Sequence, residues 1–128
     1  MEKIRLGIIG TGSHGTTRLC LEGVEKLVET DDNILDLGTG SGILAIAALR
    51  LGAKSAIGVD IDPKAEDIAR ENAAYNGFAS PEFTAYTGNV TEDKQLMRTL
   101  SQGQYDVVLV NIVADVIIGL SPVLPSFM

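Results

Sequence analysis

The chain has 128 residues, 45% of them apolar and 21% charged, enough to build one globular core and no more than one domain. Asp and Glu number 17 against 10 Lys and Arg, with the basic residues scattered, which argues against a surface that grips nucleic-acid phosphates. No apolar run approaches a membrane-spanning length, residues 1–10 lack a signal-peptide pattern, and Cys20 has no second cysteine to pair with, so a cytoplasmic protein is expected.

Apolar runs alternate with helical periodicity along the chain, which predicts a mostly parallel α/β sheet in three layers. Ile4 to Ile9 is a candidate first strand. Thr17 to Val28 reads as a helix with Leu19, Cys20, Val24 and Leu27 on one face, and Cys20 as a small buried hydrophobe rather than a nucleophile. Asp31 and Asp32 read as a solvated loop pair. Asn33 to Leu37 is a strand, Ile43 to Leu51 a helix apolar enough to pack on the sheet, and Ser55 to Asp60 the next strand.

Asp62 is placed to cap a helix that starts at Pro63, where a missing N–H costs nothing, and Asn76-Gly77 to end it. Ala65, Ile68, Ala69 and Asn72 are expected on one face of that helix. Glu82 to Tyr86 is a weaker strand, Thr91 is expected to cap a helix through Leu100, and Asp106 to Ile112 is a strongly apolar strand. Right-handed crossovers put the Asn33 strand in the centre, the Ser55 and Glu82 strands on one side and the Asp106 strand on the other. That last strand would form an apolar edge. The Ile4 strand or a second subunit, making a homodimer, would have to cover it, unless the chain is a fragment.

The chemistry concentrates between Asn33 and Ala65. Gly38, Gly40 and Gly42 allow a tight turn whose N–H groups can approach a ligand with no Cβ in the way. Asp60 ends the following strand, 22 positions after Gly38, where a carboxylate can accept both hydroxyls of a ribose. A nucleoside site on a βαβ crossover is expected. A rival site begins earlier: Gly10, Gly12 and Gly15 have GxGxxG spacing, and Asp36 follows Gly15 by 21 positions, as an NAD-binding module would require. A Walker-type ATP site is excluded, because neither glycine loop has the required Lys.

Four blocks, GTGSHGTTRLCLE from Gly10, ILDLGTGSGILAIAALRLGA from Ile34, GVDIDP from Gly58 and DVVLVNIVADVI from Asp106, carry a resemblance to a known family. Together they resemble the class I S-adenosylmethionine-dependent methyltransferases, and more narrowly the PrmA-type ribosomal protein methyltransferases. The resemblance runs from Gly10 to about Met128 and implies a Rossmann-like sheet. It implies that S-adenosyl-L-methionine is the cofactor and that amino groups of a large-subunit ribosomal protein, on lysine or the N-terminus, are methylated.

It also implies roles. Gly38, Gly40 and Gly42 would pass beneath the methionine part, Asp60 would hold the ribose diol, and Ile61 would press on the adenine. Asn89 would sit at the adenine edge, Thr17 would close over the cofactor, and Asn111 would line the opening and orient the acceptor amine as the catalytic residue. His14 is placed in the loop near the cofactor, with no Cys or His companion for a metal, and a plain loop histidine fits it equally. The sequence departs from the pattern in having nine residues where relatives carry an N-terminal recognition domain, and in lacking their later strands. Gly15 and Ile9 also stand where relatives carry a larger residue and Phe. A single cofactor-binding core over residues 1–128, incomplete on its C-terminal side, is expected; a folded fragment without turnover is the alternative.

Overall fold

The structure, a computed structural model, describes residues 5–10 and 16–112. Strands β1 (Arg5–Gly10), β2 (Asn33–Leu37), β3 (Ser55–Asp60), β4 (Phe83–Thr87) and β5 (Val107–Ile112) alternate with helices α1 (Thr16–Leu27), α2 (Ile43–Arg50), α3 (Pro63–Tyr75) and α4 (Lys94–Ser101). The strands form one sheet in the order β1-β5-β2-β3-β4, and every pair is parallel. Successive crossovers move outward from β2 to β4, and the next returns to the far side of β2 at β5. The C-terminal ends of β2 and β5 therefore border a point where strand order reverses, the usual place for a ligand crevice in an open α/β sheet.

The β5 strand is not an edge. Arg5 to Gly10 lies alongside it in register, Arg5 opposite Val107 and Gly10 opposite Ile112. The expected bare edge is thus covered by the chain itself, which removes the reason for a homodimer formed through β5.

Alternating strand residues feed two cores. Ile34, Ala56, Phe83, Ala85, Val107 and Leu109 meet α1, α2 and α3 on one face. Leu35, Leu37, Val59, Val108 and Val110 meet α4 and Tyr105 on the other. Strands buried on both faces need near-continuous apolar runs, which VVLV supplies and NILDL supplies except at Asn33 and Asp36.

Helix boundaries follow their caps. The Asp62 carboxylate accepts the Lys64 N–H at 2.9 Å with Pro63 in the first turn, and Gly77 (φ 83°) follows the C-terminus. The buried face of α3 is Ala65, Ala69 and Ala73; Ile68 is 46% exposed, one position round from that stripe. The cap of α4 is Asp93, whose carboxylate accepts the Leu96 N–H at 3.0 Å, and not Thr91. Nor are Asp31 and Asp32 a solvated pair. Asp31 is exposed with φ 68°, whereas Asp32 is buried and its carboxylate accepts the Glu29 N–H at 2.7 Å.

Gly58, in the middle of β3, marks a tight approach. A Cβ there would lie 2.7 Å from Thr39 Oγ1 and 2.9 Å from Thr39 Cβ. Gly58→Ala should therefore lower stability by about 1–3 kcal/mol through overpacking. Urea unfolding measures it, and Thr39→Gly in the same chain should recover part of the loss. A Gly58→Ala protein as stable as the parent would mean that Thr39 does not sit over β3.

Candidate functional site

The turn from β2 into α2 is built by its glycines. Gly38 (φ 81°), Gly40 (φ 53°) and Gly42 (φ 82°) all adopt the left-handed conformation, which Cβ-bearing residues resist. At Gly42 a Cβ would also press on Ala69 Cβ at 3.1 Å, so α3 can approach the loop only because that position is bare.

The expectation that the turn aims its N–H groups at a ligand is corrected by their partners. Gly38 and Thr39 donate to the Val59 carbonyl at 2.7 and 2.9 Å, and Gly42 donates to the Thr39 carbonyl at 2.8 Å. Gly40 donates to Asp60 Oδ2 at 2.8 Å. All three glycine N–H groups are used within the protein. The three glycines therefore present bare backbone whose own amides are already bonded, with the exposed Ser41 between the last two.

Asp60 ends β3 and faces this turn. Oδ2 accepts the Gly40 N–H, and Oδ1 accepts the Asp62 N–H at 3.0 Å. A carboxylate has about four acceptor positions, so two remain for a ligand's hydroxyls. Ile61 follows, 54% exposed, a large apolar side chain held at the C-terminal end of the sheet. On the far side, Thr87 of β4 pairs with Asp60, and the Gly88 N–H donates to the Asp60 carbonyl at 2.9 Å. Asn89 comes next, half-buried. The structure thus brings Gly38, Gly40, Gly42, Asp60, Ile61 and Asn89 to one end of the sheet.

Two expected residues are placed by their backbone alone. Thr17 lies in the first turn of α1. Asn111 lies in β5, opposite Ile9 and one residue past the Leu37–Val110 pair, where β2 gives way to Gly38. Their side chains, and Gly12, His14 and Gly15, lie outside what is described.

Beneath the turn is a residue that sequence reading gave to the rival site. Asp36 is fully buried in β2, and its Oδ2 accepts the Thr39 hydroxyl at 2.9 Å. Its Oδ1 has no hydrogen-bond partner among the described residues. Burial pushes the carboxyl up to about 7; the Thr39 hydroxyl opposes the shift, the Asp60 charge adds to it, and the Ala45 amide opposes it. Asp36 is therefore an internal anchor of the glycine turn and is not displayed for the ribose of an NAD molecule. Thr39, with its hydroxyl on Asp36 and its body over Gly58, completes that anchor. The available signal was an acid inside an otherwise apolar, doubly buried strand.

A separate groove of about 510 Å³ lies among α1, α2 and α3, lined by Leu21, Ile43, Arg50 and Tyr75 among others. Its lining includes Ser41 of the glycine turn but not Asp60. No described helix is long and apolar enough to cross a membrane.

The combination of Cβ-free turn, strand-end acid and exposed apolar residue can be set beside known proteins. A family model described as ribosomal protein L11 methyltransferase (PrmA) matches residues 7–128. The L11 methyltransferase of Agathobacter rectalis is 42% identical over 130 residues, covering 98% of this chain and 40% of the relative. That of Geobacter metallireducens is 49% identical over 106 residues, covering 83% of this chain and 31% of the relative. The chain thus spans well under half the length of these curated relatives.

Among solved structures, the ribosomal protein L11 methylase of Lactobacillus delbrueckii subsp. bulgaricus superposes with a TM-score of 0.76 at 36% identity, covering 94% of this chain and 57% of that one. An RNA methyltransferase of Salinibacter ruber, solved with S-adenosyl-L-homocysteine, superposes with a TM-score of 0.67 at 26% identity, covering 91% and 70%. With the family model matching residues 7–128 and a curated relative 42% identical over 98% of the chain, the chain belongs to the ribosomal protein L11 methyltransferase family.

Proposed function

We propose that this chain binds S-adenosyl-L-methionine at the C-terminal end of its sheet and serves methyl transfer to amino groups of ribosomal protein L11. The observation that carries this is the glycine turn with its N–H groups directed inward, beside a carboxylate with two free acceptor positions. A sulfonium needs room and nearby negative charge, and the Asp60 carboxylate beside the turn supplies the charge.

When bound, the cofactor supplies a methyl group already activated by its positively charged sulfur. The chain's residues then have binding and positioning tasks. The turn from Gly38 to Gly42 admits the methionine portion, Asp60 accepts the ribose hydroxyls, Ile61 covers one face of the base and Asn89 meets its edge. Thr17, in the first turn of α1, would close over the site. Asn111 would accept a hydrogen bond from the neutral amine through its side-chain carbonyl, aligning the lone pair without protonating it.

Calorimetric titration with S-adenosylhomocysteine and NAD tests the binding step, and transfer of labelled methyl groups to purified L11 tests turnover. Saturable binding of the sulfur nucleoside with none of NAD is expected. Binding of NAD alone would overturn the proposal; binding without transfer would confine it to cofactor capture.

A further inference from the structure

The β4 strand lies at one end of the sheet, so one side of its backbone faces away from β3. Which residues face outward follows from the bonds on the inner side. The Ala56 N–H donates to the Glu82 carbonyl at 2.8 Å, and the Gly88 N–H to the Asp60 carbonyl at 2.9 Å. Peptide groups alternate along a strand, so the even-numbered residues serve β3, while Phe83, Ala85 and Thr87 serve the outer side. A bare row of this kind is a template for pairing with another strand.

This row is not bare. The Phe83 N–H turns back to the Ala79 carbonyl at 3.1 Å. The Ala85 carbonyl, at the middle of the strand, accepts the Arg70 guanidinium at 3.1 Å. Arg70 reaches it from α3, and its other terminal nitrogen sits 3.0 Å from the Glu66 carboxylate, one helical turn earlier. The second oxygen of Glu66 accepts the Thr87 hydroxyl at 3.1 Å. Ala85, Arg70, Glu66 and Thr87 thus form a strap from strand to helix and back. Packing does not require it, since α3 is already seated by the buried Ala65, Ala69 and Ala73, and the Arg70 side chain is 55% exposed. Beside the strap, Phe78 and Phe83 line a hollow of about 330 Å³, where a strand laid along the edge would gain further burial.

We propose that Arg70, held by Glu66, closes the β4 edge against a second copy of this chain. An added strand must bond the Ala85 carbonyl and N–H together, and the guanidinium holds the first of these. A second copy is the occupant the strap is set against, because its identical β4 fits by symmetry. Turned antiparallel about a two-fold axis, it brings Ala85 opposite Ala85 and pairs both groups of each.

Light scattering on the whole chain across a range of protein concentrations, with hydrogen exchange read at the Ala85 amide, tests this. The parent should keep the mass of one chain, and its Ala85 amide should exchange equally fast at every concentration. Arg70→Ala should approach twice that mass as concentration rises, while its Ala85 amide slows at least about tenfold. Glu66→Gln keeps an oxygen for Thr87 but not the charge facing Arg70, so it should shift the same way, less far. It carries the test alone should Arg70→Ala fail to fold, which thermal melts reveal. Variants that stay single at every concentration would overturn the proposal, as would association that leaves the Ala85 amide unprotected. A parent chain that pairs with its Ala85 amide protected would overturn it equally.

Discussion

Asp60→Ala is expected to weaken S-adenosylhomocysteine binding by about 100-fold, close to 3 kcal/mol. Two losses combine. The ribose loses a charged acceptor for its hydroxyls, and the Gly40 and Asp62 N–H groups lose the oxygens at 2.8 and 3.0 Å that fix the turn against β3. Both amides lie near the surface and can turn to water, so the variant should remain folded, within about 1 kcal/mol of the parent. Asp60→Asn separates the two contributions, because its single carbonyl oxygen can serve the Gly40 amide or a hydroxyl but offers fewer acceptor positions. It should fall between the parent and Asp60→Ala. Calorimetry with parallel thermal melts gives both quantities, and undiminished affinity in Asp60→Ala would take the residue out of the site.

Asp36→Asn should make the protein more stable at pH 8 and less stable, by about 1–3 kcal/mol, at pH 4. Burial raises the folded carboxyl from 3.8 to about 7, so the unfolded chain gives up this proton first. Below about pH 4 both states hold the proton and the group contributes nothing to the pH dependence. Between about pH 4 and pH 7 the unfolded state ionises while the folded state does not, and stability falls as pH rises. Above about 7 the loss levels off, at no more than about 4 kcal/mol by linkage. Asparagine cannot ionise and still offers an oxygen to the Thr39 hydroxyl. Its NH₂ lands where Oδ1 already lacks a partner, which takes back about 1–3 kcal/mol. Urea unfolding from pH 4 to pH 8 should show the parent and variant curves converging and crossing toward acid. Curves that stay parallel would mean that Asp36 is ionised in the fold throughout.

The layout of the sheet was legible because it depends on patterns the chain carries locally. Continuous apolar strands, Asp62-Pro63 at a helix start and Asn76-Gly77 at its end are all short-range signals, and crossover handedness orders the strands. The site was legible to the level of which residues meet, since the glycine spacing and the acid at Asp60 belong to one βαβ unit. What each atom bonds to was not. Gly40 and Asp60 are 20 residues apart, and only the register of β2 on β3 decides that the carboxylate takes a loop amide. The same limit applies to Asp36, which linear spacing offered to a sugar and which the sheet encloses completely. At α4 two residues, Thr91 and Asp93, were eligible caps; the Asn89 turn engages the first and leaves the second to hold the Leu96 amide.

Because the amides of Gly38, Thr39, Gly40 and Gly42 bond inward, the bend between β2 and α2 has its final shape before any guest arrives. Little entropy is then left to surrender locally on association, and the empty and occupied forms should share one conformation here. Any adjustment that accompanies capture has to come from elements other than this rigid floor.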